Sequence, residues 1–193
     1  MADPKKPATT IAPWQVLDSK YSYRDRWLAV RSDIVRVPNG TILSPYHTIE
    51  FPEWVCAIAL TPEREIVLIE EYRHGIERNS FELPCGTPDH EGESVLEATK
   101  RELREETGYA AERWRQVSRI TLSNSVTDER GALFIAEGLT AGVAEPDASE
   151  VLETRWATLA EVLAEIAAGE IHDLLTIAGV GLYAAERLRE GTP

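Results

Sequence analysis

Glu102, Glu105 and Glu106 fall within the segment RELREETGY, residues 101–109, of a 193-residue chain whose formal net charge is already −13. Spaced i, i+3 and i+4, these carboxylates share one face of any helix that carries them. Like charges at that spacing oppose the helix by about 0.2–0.5 kcal/mol per pair. Gly108 marks a helix end just beyond them, which puts the acids at the negative end of the helix dipole. Helix stability does not recommend such an arrangement. Two chemistries account for it. One is a solvated face where Arg101 and Arg104 offset the repulsion; the other is an oxygen-donor site for a hard divalent cation such as Mg²⁺. A cation would relieve the crowding and let so acidic a chain accept an anionic substrate.

The elements that must hold this segment can be read from pattern. A hydrophobic content of 43% with 27% charged residues is ordinary for a globular chain long enough to bury a core. The acidic balance argues against a nucleic-acid surface, which needs clustered Lys and Arg. No apolar run is long enough to span a bilayer. The leading MADPKKPATTIAPW lacks an apolar stretch, so it reads as a short flexible lead-in and the expected location is cytoplasmic. Cys56 and Cys85 belong to no CxxC or Cys/His cluster, and the expectation is two reduced thiols in or near the core.

The first half reads as strands. Pro38-Asn39-Gly40 is a hairpin signal between two alternating segments. The runs either side of Thr61-Pro62-Glu63-Arg64 are expected to form a second, more central hairpin, with a short strand at Ser80–Leu83. Ser94 can cap a helix through Leu103 that stops at Gly108. Two further strands, an acidic loop AGVAEPDASEVLE that leads into TRWATL, and two helices (about 159–168 and 173–189) complete the chain. Gly179-Val180-Gly181 lies inside a helical pattern with no strand before it, and is not expected to bind phosphate. The order is that of an α+β protein rather than of regular βαβ units.

Written out, GTPDHEGESVLEATKRELREETGY resembles the signature of the Nudix hydrolases. Gly86, Glu93, Arg101, Glu102, Leu103, Glu105, Glu106, Gly108 and Tyr109 fill its places, with seven residues between Glu93 and Arg101. The Gly86–Glu93 spacer is one residue longer than the family pattern, an insertion within TPDHE. EEYRHG and FELPCG look like the QYR and ELPAG segments of the ADP-ribose pyrophosphatase and nucleoside diphosphate sugar hydrolase branch. The resemblance implies an α/β/α sandwich with a mixed sheet over residues 51–193. It implies an N-terminal antiparallel β region over residues 1–50 that serves dimerisation or substrate binding.

The same resemblance implies a pyrophosphohydrolase that needs Mg²⁺ or Mn²⁺ and acts on a nucleoside diphosphate-linked small molecule, as a homodimer without nucleic-acid or membrane partners. Residue by residue, Glu102, Glu105 and Glu106 would hold metal and carry catalysis, with Arg101 orienting them. The backbone carbonyl of Cys85 would face metal, and Glu93 would reach it through water. Arg73, Glu82, Trp54 and Trp27 are the expected substrate-binding residues, and Glu150, or else Glu153, the general base. One departure is the turn LSNSVTDE, which holds Ser123-Asn124-Ser125 where ADP-ribose pyrophosphatases carry proline. It leaves GDP-mannose or a dinucleotide open as substrate, and a non-catalytic nucleotide-binding or regulatory module is the alternative from another class.

Overall fold

A computed structural model of the chain describes residues 11–89 and 92–191. Most of the expected lead-in, and His90 and Glu91 of the longer spacer, lie outside the described residues. The chain divides into two compact units, Met1–Phe51 with Ser123–Asp128, and Pro52–Leu122 with Glu129–Pro193.

The first unit is an antiparallel sheet of β1 (Gln15–Arg24), β2 (Ala29–Arg36) and β3 (Ile42–Glu50), in the order β1-β2-β3. The turn at Pro38-Asn39-Gly40 joins β2 to β3 as its sequence directs, with the Asn39 side chain accepting the Thr41 N–H at 3.0 Å. Segment 123–128 completes this unit. The Ile49 N–H donates to the Val126 carbonyl at 2.9 Å, the Asp128 N–H to the Ile49 carbonyl at 3.1 Å, and the Tyr46 hydroxyl to the Ser125 carbonyl at 3.0 Å.

The second unit holds β4 (Trp54–Ala59), β5 (Ile66–Arg73), β6 (Arg78–Glu82), β7 (Cys85–Gly86), α1 (Val95–Thr107), β8 (Tyr109–Ile120), β9 (Gly131–Ala141), β10 (Glu153–Ala157), α2 (Leu159–Ala168) and α3 (Leu174–Arg189). One sheet runs β7-β4-β9-β8 and is mixed, because β4 and β9 are parallel while both outer pairs are antiparallel. The other runs β10-β5-β6 and is antiparallel. Every residue of β4 is buried, and its side chains alternate between two apolar clusters. Cys56 and Ile58 join Leu68, Leu83, Leu133, Val162, Val180 and Tyr183, the last three supplied by α2 and α3. Ala57 and Ala59 instead meet Leu103 of α1. A strand buried on both faces in this way reads as a continuous apolar run, and the layering is the expected α/β/α sandwich.

Two expectations fail. The runs either side of Thr61–Arg64 do not form a hairpin: β4 and β5 lie in different sheets and share only an isolated bridge between Leu60 and Ile66. Local turn chemistry cannot foresee that β4 finds both its partners, β7 and β9, later in the chain. Nor are the cysteines free. Cys56 stands directly opposite Cys85 in the β4–β7 register, and the two are joined as a disulfide. A 29-residue separation gave no sign of that register. Gly179 serves packing: a Cβ there would lie 2.8 Å from Leu83 Cδ1, so glycine lets α3 close onto the core.

Candidate active site

α1 is the frame of the site. The Ser94 hydroxyl accepts the Glu97 N–H at its start, and Gly108, at φ 75°, ends it with its own N–H on the Arg104 carbonyl. Its buried stripe consists of Ala98, Thr99, Leu103 and Glu106. An acid thus occupies a place where helical periodicity calls for an apolar residue.

The short strand β7 and the residue after it supply backbone to these acids. The Cys85 N–H donates to Glu106 Oε2 at 3.1 Å, and the Thr87 N–H to Glu102 Oε1 at 3.2 Å. Gly86 lies against Glu102: a Cβ built there falls 2.1 Å from the carboxylate and would push it off its partners. Arg101 gathers the remaining groups. Its guanidinium donates to Glu93 Oε1 at 3.1 Å, to Glu102 Oε1 and Glu105 Oε2 at 3.0 Å each, and to the Thr87 carbonyl at 2.8 Å. Glu93 also accepts the Asp89 N–H at 3.0 Å, which ties down the start of the loop between β7 and α1.

A second group comes from β5 and β6. Arg73 Nε and Nη2 donate to the two oxygens of Glu82 at 2.9 and 2.5 Å, and Nη1 lies 2.7 Å from Glu71 Oε2. Glu71 escaped the sequence reading. Its only signal was a second acid in EEYR at the spacing that puts residues 71 and 73 on one face of a strand. From the loop before β10, Glu150 turns its carboxylate back onto the Asp147 N–H at 2.9 Å, whereas Glu153 is exposed at the start of β10. Trp54 is buried in the core with its ring over Gly131, which leaves little aromatic face for a base. Trp27, in the first unit, is exposed with the Arg26 guanidinium 4.1 Å from its ring centre.

The electrostatics reflect an excess of negative charge. Burial, reinforced by Glu102, Glu150 and Glu71, raises Glu106 well above the usual carboxylate range, against the pull of the Cys85 N–H. Burial likewise pushes Glu102 up to about 7, opposed by Arg101 and aided by Glu105 and Glu150. Glu71 is raised by burial and by Glu82 and Glu150, with Arg73 opposing. The guanidinium of Arg73 is correspondingly held in its charged form by Glu82, Glu71 and Glu106.

Such a donor set, all oxygen and short of positive charge, suits a hard divalent cation. Among the described residues, no three Asp, Glu, His or Cys side chains already converge as ligands. Glu102 and Glu105 are held by Arg101 and Glu106 by the Cys85 N–H, each through one carboxylate oxygen, so these bonds orient the acids while acceptor sites remain for a cation.

Comparison with known proteins agrees with this arrangement. Residues 51–175 match the NUDIX domain, and residues 14–49 the nucleoside diphosphate sugar hydrolase N-terminal domain. A methanol dehydrogenase activator of Bacillus methanolicus is 31% identical over 171 residues, covering 86% of this chain and 90% of that protein. An ADP-ribose pyrophosphatase of Mycobacterium tuberculosis is 30% identical over 170 residues, covering 86% and 81%. A solved structure of an ADP compounds hydrolase superposes with a TM-score of 0.84 at 23% identity, over 96% of this chain and all of that one, a likeness of fold. With its carboxylate helix, its layered sheets and a domain match over most of its length, the chain belongs to the Nudix family.

Proposed function

We propose that this protein is a divalent-metal-dependent pyrophosphohydrolase that splits the diphosphate of ADP-ribose or a related nucleoside diphosphate sugar, giving a nucleoside monophosphate and a sugar phosphate. The observation that carries it is the placing of Glu102 and Glu106 against the backbone of residues 85–87, with Arg101 binding both Glu102 and Glu105. The ADP-ribose pyrophosphatase among its relatives supports the substrate class.

Glu102, Glu105 and Glu106, with the Cys85 carbonyl and Glu93 through water, would hold Mg²⁺ or Mn²⁺. When bound, the ion neutralises phosphoryl oxygens and makes water a nucleophile at neutral pH. The chain's own groups do the rest. Arg101 fixes the carboxylate side chains until they are needed. Arg73, held by Glu82, contacts the substrate beside them. Glu150 is the general base, carried by a loop that reaches the site as it closes. A homodimer completes the proposal, supported by β1, whose every residue is exposed and which carries Val16, Leu17, Tyr21 and Tyr23; the cytoplasmic location rests on the sequence alone, and the Cys56–Cys85 disulfide does not add to it.

The test is a Mg²⁺-dependent hydrolysis panel of ADP-ribose, ADP-glucose, GDP-mannose, NADH and diadenosine polyphosphates, with products identified. AMP and ribose 5-phosphate are expected from ADP-ribose. Glu106→Gln should lower kcat by about a thousand-fold with the fold retained; full turnover in that variant removes the metal-site assignment. A second reading, a nucleotide-binding module that acts without cleavage, draws on the relative named as an activator. Tight ADP-ribose binding with no AMP released at saturating Mg²⁺ would favour it.

A further inference from the structure

We propose that Glu71 is a positioning residue for Arg73, holding the far edge of its guanidinium against the rocking that the Glu82 fork leaves open. The inference rests on the reading above that Arg73 touches substrate, and goes beyond it in assigning Glu71.

The geometry follows from strand register. Glu71 and Arg73 are two residues apart on β5 and so project from the same face. On the neighbouring strand β6, Ser80 stands opposite Glu71, and Glu82 opposite Ile69. Arg73 therefore reaches back along the sheet, past the short buried Ser80, to meet Glu82. The Glu82 carboxylate takes the Nε and Nη2 donors as a fork, at 2.9 and 2.5 Å. The planar guanidinium moves as one body, and a fork on one edge leaves it free to rock about the Nε–Nη2 line, a motion that swings the far nitrogen, Nη1. That nitrogen is where Glu71 makes its contact, at 2.7 Å.

Exposure runs in the same order. The Glu82 side chain retains 9% of its accessible surface, that of Glu71 19% and that of Arg73 41%. Glu82 is thus the deep anchor and Glu71 the outer stay of a guanidinium side chain that is itself partly exposed. The charges of Glu82 and Glu150 act on Glu71, and Glu71 contributes to the field at Glu106, so its carboxylate lies with the groups of the proposed site. The bland alternative, an ordinary surface ion pair, would contribute next to nothing when cut.

Two measurements decide between these. In steady-state hydrolysis of ADP-ribose with Mg²⁺, Glu71→Ala should raise KM about ten-fold and leave kcat within about two-fold, the sign of lost uniform binding. Glu71→Gln, which keeps an acceptor for Nη1, should restore most of the loss. In an Arg73→Ala background, Glu71→Ala should add nothing further to KM, because its effect passes through Arg73. The second measurement needs no turnover. The Arg73 Nε–H resonance, assigned by its disappearance in Arg73→Lys, should show a lower order parameter in Glu71→Ala than in wild type or Glu71→Gln.

An unchanged KM, a loss confined to kcat, or full additivity with Arg73→Ala overturns the proposal. If wild type hydrolyses nothing in the panel, the proposed function fails, and the Arg73 resonance alone judges Glu71: unchanged mobility in Glu71→Ala overturns it.

Discussion

Glu106 is an acid on a buried helical stripe, and the consequences follow from that placement. Burial and the neighbouring carboxylates raise it and bring Glu102 from its ordinary 4.5 to about 7. Between those two values the folded, metal-free protein keeps a proton on Glu102 that the unfolded chain has released. The folded state then binds more protons, so stability falls as pH rises. The contribution is complete below about 4.5, declines towards pH 7, and is lost above it; Glu106 acts in the same sense. Thermal denaturation of chelator-treated protein should therefore give a Tm that falls from pH 5 to pH 8. The slope should be shallower in Glu102→Gln, and added Mg²⁺ should raise Tm most at the alkaline end, where the ligands are free of protons. A slope that is flat, or that rises with pH, contradicts the burial argument. Helix spacing puts the three α1 acids on one face, and the flanking Gly86, Glu93 and Arg101 made them legible as a site. Glu71 was not legible, because its meaning depends on Arg73 reaching across a β5–β6 register that no local signal specifies.

At the level of elements, boundaries carried by capping chemistry were readable. Ser94 accepts an N–H of the first turn of α1 and Gly108 closes it, as their residue types direct, whereas Thr158, Asp173 and Gly169 cap α2 and α3 without having been read as caps. Pairing between distant strands was not readable. β4 lies parallel to β9, far along the chain, and β7 is only Cys85–Gly86, too short to leave a periodic trace. The same non-local pairing that broke the expected β4–β5 hairpin brought Cys56 opposite Cys85. Thiol titration of protein denatured without reductant should find neither cysteine reactive, and both should appear after reduction. Two reactive thiols in the unreduced sample would restore the sequence expectation. The link matters for the site because Cys85 supplies the N–H that Glu106 accepts.

For the whole molecule, the exposed apolar residues of β1 give the proposed homodimer a physical motive. A strand that, among the described residues, pairs only with β2 and leaves Val16, Leu17, Tyr21 and Tyr23 exposed is a template for pairing with another chain. Sedimentation should report a dimer at micromolar concentration, and Leu17→Lys with Val16→Lys should shift it to monomer. A wild-type monomer contradicts this part of the proposal. The β2–β3 hairpin was foreseen from Pro38-Asn39-Gly40 and the flanking alternation, but neither the strand β1 nor the place of Ser123–Asp128 was. As a sequence, that stretch is a turn between two strands of the other unit; in the fold it is hydrogen-bonded to β3. Its pairing has a consequence for how such a protein can be inherited or recombined. A gene cut at Pro52 looks clean in the primary structure, since everything before it could be exchanged as one block. The protein does not share that seam. A borrowed amino-terminal sheet would also have to suit the backbone of six residues encoded far downstream, so the two regions are bound to drift together.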